Sequence, residues 1–214
     1  MNITEDMVKE IILDVLREMG AAKQPAQSLQ EGGTPLEFAE AGVARSGVNK
    51  NEVVIAFPPA FGTVMHKTIT AIPHQEVLRE IIAGIEEEGF KARLVKVYKT
   101  ADVAFIAHEA AKLSGSGIGI GLLSRGTSVI HQKDLKPLQN LELFSQSPLL
   151  DLVTFRAIGH NAAKYAKGES PHPVPVRNDP MARPRYQGLA ALLHNKEIQY
   201  VNADKQAQEV TVLL

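Results

Sequence analysis

Seven histidines, a run of alternating glycines and a Ser-Arg-Gly-Thr-Ser turn are the parts of this 214-residue sequence whose residue types could carry chemistry. The histidines are His66, His74, His108, His131, His160, His172 and His194. His108-Glu109 opens a zinc-hydrolase pattern, but Lys112 stands where the second histidine is required, so each histidine reads as a surface or hydrogen-bonded residue. Ser114-Gly115-Ser116-Gly117-Ile118-Gly119-Ile120-Gly121 suggests a dinucleotide fingerprint, which needs glycines at the first, third and sixth positions of a strand-to-helix turn. Counting from Gly115 the sixth residue is Ile120, and from Gly117 it is Leu122, so the spacing fails. Glycines inside a strand mark close approach of another backbone or a flat ligand, and the run is expected to face a partner or a large cofactor. Ser124-Arg125-Gly126-Thr127-Ser128 offers a guanidinium, hydroxyls and glycine-freed amides that suit a phosphate or amide group, with a plain solvated turn as the alternative. It lacks the Gly-Lys-Ser/Thr ending of a P-loop. Glu86-Glu87-Glu88 reads as a solvated helix end, no Gly-x-Ser-x-Gly elbow occurs, and the absence of cysteine removes thiolate chemistry and disulfides. No catalytic constellation emerges.

Bulk properties narrow the partners. With 44% hydrophobic and 22% charged residues the chain can bury one ordinary core, and a formal net charge of −1 gives no electrostatic reason to bind nucleic acid or an anionic membrane. No run approaches the ~18 apolar residues of a membrane span, and the start lacks signal-peptide features, so a cytoplasmic protein is expected.

The elements that must position these residues follow from periodicity. Residues 2–19 place Ile3, Met7, Val8, Ile11, Ile12, Val15, Leu16 and Met19 at helical spacing among charged residues, and Gly20 supplies an exit. Residues 1–20 thus read as an amphipathic helix whose stripe is buried against another molecule or, alternatively, against its own domain or a symmetry mate. Residues 21–51, rich in Ala, Gln, Gly, Pro and Ser, read as a flexible linker. The folded domain, 52–214, opens with a strand at 52–57, then a helix over 74–88, a strand over 93–98, a helix opened by Asp102, and a strand through Ile118, Ile120 and Leu122. That order predicts an α/β fold with a parallel sheet. After Ser128-Val129-Ile130, a long helix is expected over 150–167. Prolines 171, 173, 175, 180 and 184 argue for an extended segment over 170–185, before a helix at 186–200 and a last strand at 209–214.

Separated blocks of the sequence carry a resemblance. Ile72-Pro73-His74, Ile82-Ala83-Gly84-Ile85-Glu86-Glu87-Glu88-Gly89, the glycine run, Val129-Ile130-His131-Gln132, Asn140-Leu141-Glu142-Leu143-Phe144, Glu169-Ser170-Pro171 and Met181-Ala182-Arg183-Pro184 closely resemble the medium subunit of adenosylcobalamin-dependent diol and glycerol dehydratases. The similarity runs over residues 52–200. It implies a Rossmann-like domain that supports the nucleotide side of adenosylcobalamin against a catalytic large subunit. The implied assembly is a dimer of large-medium-small heterotrimers, served by a reactivating factor, that converts 1,2-propanediol to propionaldehyde or glycerol to 3-hydroxypropionaldehyde. It implies no catalytic residue here and no activity alone. By matching position, Asp102, Val103, Arg125, Thr127, Leu138, Asn140, Arg183 and Tyr186 are the implied cofactor-proximal residues, along with the glycine-rich strand. The family pattern Gln-Ser-Lys-Gly-Thr-Thr is here Leu123-Ser124-Arg125-Gly126-Thr127-Ser128, an exchange that keeps the charge and changes its reach. Phe57-Pro58-Pro59 and Pro180 depart from the pattern too. Residues 2–19 resemble the extension that directs diol dehydratases into bacterial microcompartments. The alternatives are the small subunit of a dehydratase-reactivating chaperone, which shares the fold but lacks the 170–186 tail, and a stand-alone α/β ligand-binding protein.

Overall fold

The computed structural model describes residues 34–214; the amphipathic pattern of residues 2–19 lies outside them. Seven strands form one sheet in the order β1-β7-β3-β2-β4-β5-β6. Its centre is the parallel unit expected from the sequence: β2 (Glu52–Phe57), flanked by β3 (Lys91–Lys96) and β4 (Ile118–Leu122). Every residue of β2 is buried because helices cover both faces of the sheet. Val53, Ile55 and Phe57 meet Val77, Leu78 and Ile81 of α1 (His74–Glu87) and Phe155 and Ile158 of α3 (Leu152–Ala166). Val54 and Ala56 meet Ile106 and Ala110 of α2 (Val103–Leu113) on the other face. Asp102 caps α2 by accepting from the Ala104 and Phe105 amides, and Asp151 caps α3 through the Thr154 amide.

The outer strands are antiparallel, and of them only the last, β7, was expected. β5 (Ser128–Gln132) folds back on β4 and β6 (Glu142–Phe144) on β5, while β7 (Gln208–Val212) joins β3 to β1 (Phe38–Val43). β1 corrects the reading of 21–51 as linker throughout: residues 38–43 are a sheet edge that only the chain's last strand completes. The second correction is the last helix, α4, which runs Ala182–Ile198 and takes Arg183, Pro184 and Arg185 into its first turn. A proline is tolerated there because the first amides of a helix have no intrahelical acceptor to lose. The stretch before it is extended. Asn161 Nδ2 donates to His172 O, and Glu142 accepts from both Asn161 Nδ2 and the Val174 amide at 2.8 Å, which ties the proline-rich segment to β6 and α3.

With β3 and β4 on opposite sides of β2, the topological switch point falls between β2 and β4. In open α/β sheets the crevice outside the carboxyl ends of such strands is where ligands bind.

Candidate functional site

Four loops leave the sheet at that edge, following β2, β3, β4 and β6, and α4 lies across them. Leu193, Leu189, Ala190 and Tyr186 of α4 pack on Ala60, Met65 and Ile69 of the β2 loop. Beside this contact is a cleft of about 370 Å³, lined among others by Ile69, Arg125, Gln146, Ser147, Arg183 and Tyr186.

The turn joining β4 to β5 forms its floor. The Gly126 amide donates to Leu123 O and the Leu123 amide to Thr127 O, with Gly126 at φ +106, a value that only glycine adopts without strain. Far from a solvated turn, Ser124, Gly126, Thr127 and Ser128 are buried. Arg125 Nε donates to Thr127 Oγ1 at 2.9 Å, Thr127 Oγ1 and Ser147 Oγ are 2.7 Å apart, and the Ile69 amide donates to Arg125 O. Burial lowers the Arg125 pKa, and the Glu197 carboxyl works against that shift.

Two fully buried ionisable side chains brace the turn. His74, the first residue of α1, is wholly excluded from solvent and stacks on Phe61 with ring centroids 3.9 Å apart. Its Nε2 lies 2.7 Å from Ser124 O, which can only accept, so the proton sits on Nε2, and Nδ1 at 3.1 Å shares the Gly62 amide with Met65 O. Burial pushes its pKa down to about 4. Glu197, near the end of α4, accepts the Ser124 amide at 2.8 Å, and burial raises its pKa against the opposing effects of that contact and of Arg125. His194, one turn earlier, has its pKa lowered first by burial and then by Arg125, while Asp102 acts in the opposite direction. The α2 cap, the β4–β5 turn and α4 therefore stand within electrostatic reach of one another.

The sequence-predicted residues divide by position. Arg125, Arg183 and Tyr186 line one cleft, Thr127 holds Arg125, and Asp102 lies on the same edge of the sheet. Val103 is half-buried and packs inward with the α2 core. Leu138 and Asn140 sit in the β5–β6 loop, beyond the other end of β5, about 15 Å from Thr127 at strand rise, and the Leu138 side chain is 73% exposed. The glycine-rich strand does not face a cofactor or partner, which corrects that expectation. β4 is buried, and a Cβ on Gly119 or Gly121 would collide with α2: Gly121 would meet Val103 O at 2.6 Å, and Gly119 the Ala110–Ala111 backbone. The glycines admit the domain's own helix. Gln146, Ser147, His74 and Glu197 were missed by sequence reasoning, and the only signal was the Ile72-Pro73-His74 block that carried the resemblance. A larger groove of about 550 Å³, lined by Val43, Phe105, His108 and Lys112 among others, lies between α2 and the β1–β7 edge and contains none of the predicted residues. Among the described residues no group of three or more His, Asp or Glu is arranged to hold a metal ion, and no helix is long and apolar enough to cross a membrane.

The dehydratase medium subunit family matches residues 58–172, more than half of the chain. The chain belongs to that family. It is also 36% identical over 90 residues to the small subunit of the diol dehydratase-reactivating factor of Klebsiella michiganensis, a match that takes in 42% of this chain and 69% of that one. Among solved structures it is similar to a glycerol dehydratase reactivase (TM-score 0.47, 21% identity, 62% of this chain and 99% of that one). It is likewise similar to a diol dehydratase-reactivating factor complexed with ADP and Mg2+ (TM-score 0.43, 28% identity, 59% and 97%). The family match is thus to a dehydratase subunit, and the 36% identical relative is a reactivating-factor subunit.

Proposed function

We propose that this chain is the medium, non-catalytic subunit of an adenosylcobalamin-dependent diol or glycerol dehydratase, holding the nucleotide side of the coenzyme against a catalytic large subunit. The observation that carries this reading is the cleft shared by Arg125 and the α4 residues Arg183 and Tyr186. Part of it is built by chain beyond residue 172, past the family match, and Ala182, Arg183 and Tyr186 fall within the 170–186 tail that the resemblance attributes to medium subunits and not to reactivating small subunits.

The donor set fits such a coenzyme. Two guanidinium groups suit a phosphate and the amide oxygens of a corrin rim, the Tyr186 ring offers an aromatic face, and Gln146 Oε1 is buried without a hydrogen-bond partner at the cleft wall. When bound, the coenzyme supplies the radical chemistry. The residues of this chain bind and orient it: Arg125 and Arg183 as donors, Thr127 and Ser147 by fixing the Arg125 side chain, and α4 by excluding water from the crevice. Large and small dehydratase subunits are the proposed partners, in a dimer of heterotrimers maintained by a reactivating factor. Residues 2–19 are the proposed address to a microcompartment.

The test is coenzyme affinity of the assembled complex. Arg125→Ala is expected to weaken adenosylcobalamin binding about tenfold or more, the effect of a lost charge-assisted hydrogen bond, with assembly intact. Unchanged affinity would remove the cleft from the coenzyme site. A second reading, the small subunit of a reactivating factor, is favoured by the 36% identical relative. It predicts that the chain displaces a medium subunit from a dehydratase and adds no coenzyme-dependent activity to the large and small subunits.

A further inference from the structure

The two peptide units flanking the Ser124 Cα are held by side chains from distant parts of the chain. His74 Nε2 donates to the Ser124 carbonyl at 2.7 Å across 50 positions, and Glu197 Oε1 accepts from the Ser124 amide at 2.8 Å across 73. Both side chains are buried. Neither lines the cleft, and neither is among the residues that the resemblance places near the coenzyme. We propose that His74 and Glu197 are a pair of positioning residues that fix the backbone at Ser124, and through it the direction in which Arg125 enters the coenzyme cleft. This inference rests on the medium-subunit reading.

The geometry supports positioning in particular. With the amide and the carbonyl of Ser124 both engaged, φ and ψ of that residue are set, and Arg125 leaves the next Cα in one direction. Downstream, the Ile69 amide on Arg125 O and the Thr127 hydroxyl on Arg125 Nε take up the side chain and its own carbonyl. The turn needs such bracing because it contains Gly126, which tolerates many backbone conformations. His74 can serve only as the Nε2–H tautomer, which the Ser124 carbonyl requires because it can only accept, while the Phe61 ring covers one face of the imidazole. Glu197 reaches the turn from α4, the helix that also brings Arg183 and Tyr186 to the cleft and packs on the β2 loop, so its carboxyl meets the Ser124 amide from a fixed direction.

The experiment compares Glu197→Leu, Glu197→Gln, His74→Phe and Arg125→Ala in the complex with the large and small subunits, measuring adenosylcobalamin Kd and kcat at saturating coenzyme. Amide exchange at Ser124 in the free full-length chain is the readout that does not depend on the loaded enzyme. Glu197→Leu is expected to raise Kd about tenfold, as for one net hydrogen bond, with kcat at saturation within about twofold, and to speed Ser124 exchange. Glu197→Gln keeps the acceptor and is expected to rescue both. His74→Phe keeps a ring against Phe61 without the donor and is expected to follow Glu197→Leu; if either variant fails to fold, the other carries the test. Because both residues act through Arg125, adding Glu197→Leu to Arg125→Ala is expected to weaken binding little further. Additive losses would mean a role independent of Arg125 and would overturn the proposal. So would a Glu197→Leu complex that binds coenzyme like wild type while Arg125→Ala does not, a result that leaves the medium-subunit reading standing. If Arg125→Ala itself has no effect, that reading falls and the inference falls with it.

Discussion

Lowering the pH from 7.5 to 4 is expected to weaken the fold through His74, by an amount that follows from its burial. The ring is excluded from solvent, so a second proton places a charge where no water can reach it, a penalty that outweighs the help of the Ser124, Met65 and Lys67 backbone groups. Its pKa in the folded state is about 4, against 6.5 for the free side chain. The unfolded chain therefore binds more protons between those values, and stability falls as the pH drops from about 6.5 to about 4. At 1.36 kcal/mol per pKa unit the loss reaches about 3 kcal/mol at pH 4, a large part of the stability of an ordinary domain. Carboxylates titrate over the same range, so the quantity to measure is a difference. Urea unfolding of wild type and of His74→Gln, each from pH 7.5 to 4, isolates the histidine because the other groups are common to both. The variant is expected to be less stable at pH 7.5, and the gap is expected to close by about 3 kcal/mol at pH 4. A gap that stays constant with pH would refute the reasoning, since it would mean that His74 titrates in the folded chain as it does in the unfolded one.

Other outcomes follow from single contacts. Asp102→Ala removes the α2 cap and is expected to cost about 1 kcal/mol in denaturant unfolding, as for other N-caps. Gly121→Val forces a side chain into the Val103 carbonyl and the Ala107 amide; a loss of about 3 kcal/mol is expected in the same assay, whereas a glycine apposed to a cofactor would tolerate valine in the free chain. Glu142→Ala leaves the Val174 amide without its acceptor, with an expected cost of about 2 kcal/mol and faster proteolysis within residues 172–180, read by limited digestion and mass mapping. Glu197→Gln is expected to raise the melting temperature at pH 7 and to match wild type in mild acid, because burial raises the carboxyl pKa and so disfavours its charged form only where the unfolded chain would be ionised.

The central layers were legible in the sequence because their signals are local. β2, α1, α2, β4 and α3 each carry an apolar period, a cap or a glycine stop within their own residues, and each falls within a few residues of its expected place. β1 was hidden because Phe38-Ala39-Glu40-Ala41-Gly42-Val43 has little strand character of its own and exists by pairing with β7, some 170 positions away. The start of α4 was hidden by Pro184, which penalises a helix interior but not its first turn. The glycines of β4 announced a close approach but not what approaches, and the approaching element was α2. At the site, motif position was enough to bring Arg125, Thr127, Arg183 and Tyr186 to one end of the sheet. His74, Ser147 and Glu197 reach the turn across 20 to 73 positions, and no spacing rule connects residues so far apart. Leu138 and Asn140 were grouped with them by motif alone, and the length of β5 separates them.

Coenzyme-dependent aldehyde formation is the most direct test of the function proposed here. This chain alone, the large and small dehydratase subunits without it, and all three together would be assayed with adenosylcobalamin on 1,2-propanediol and on glycerol. Activity is expected only in the three-part mixture, with the faster diol naming the substrate. Activity of the large and small subunits at the same level without this chain, or none in the three-part mixture, would contradict the subunit assignment and leave the reactivating-factor reading in its place.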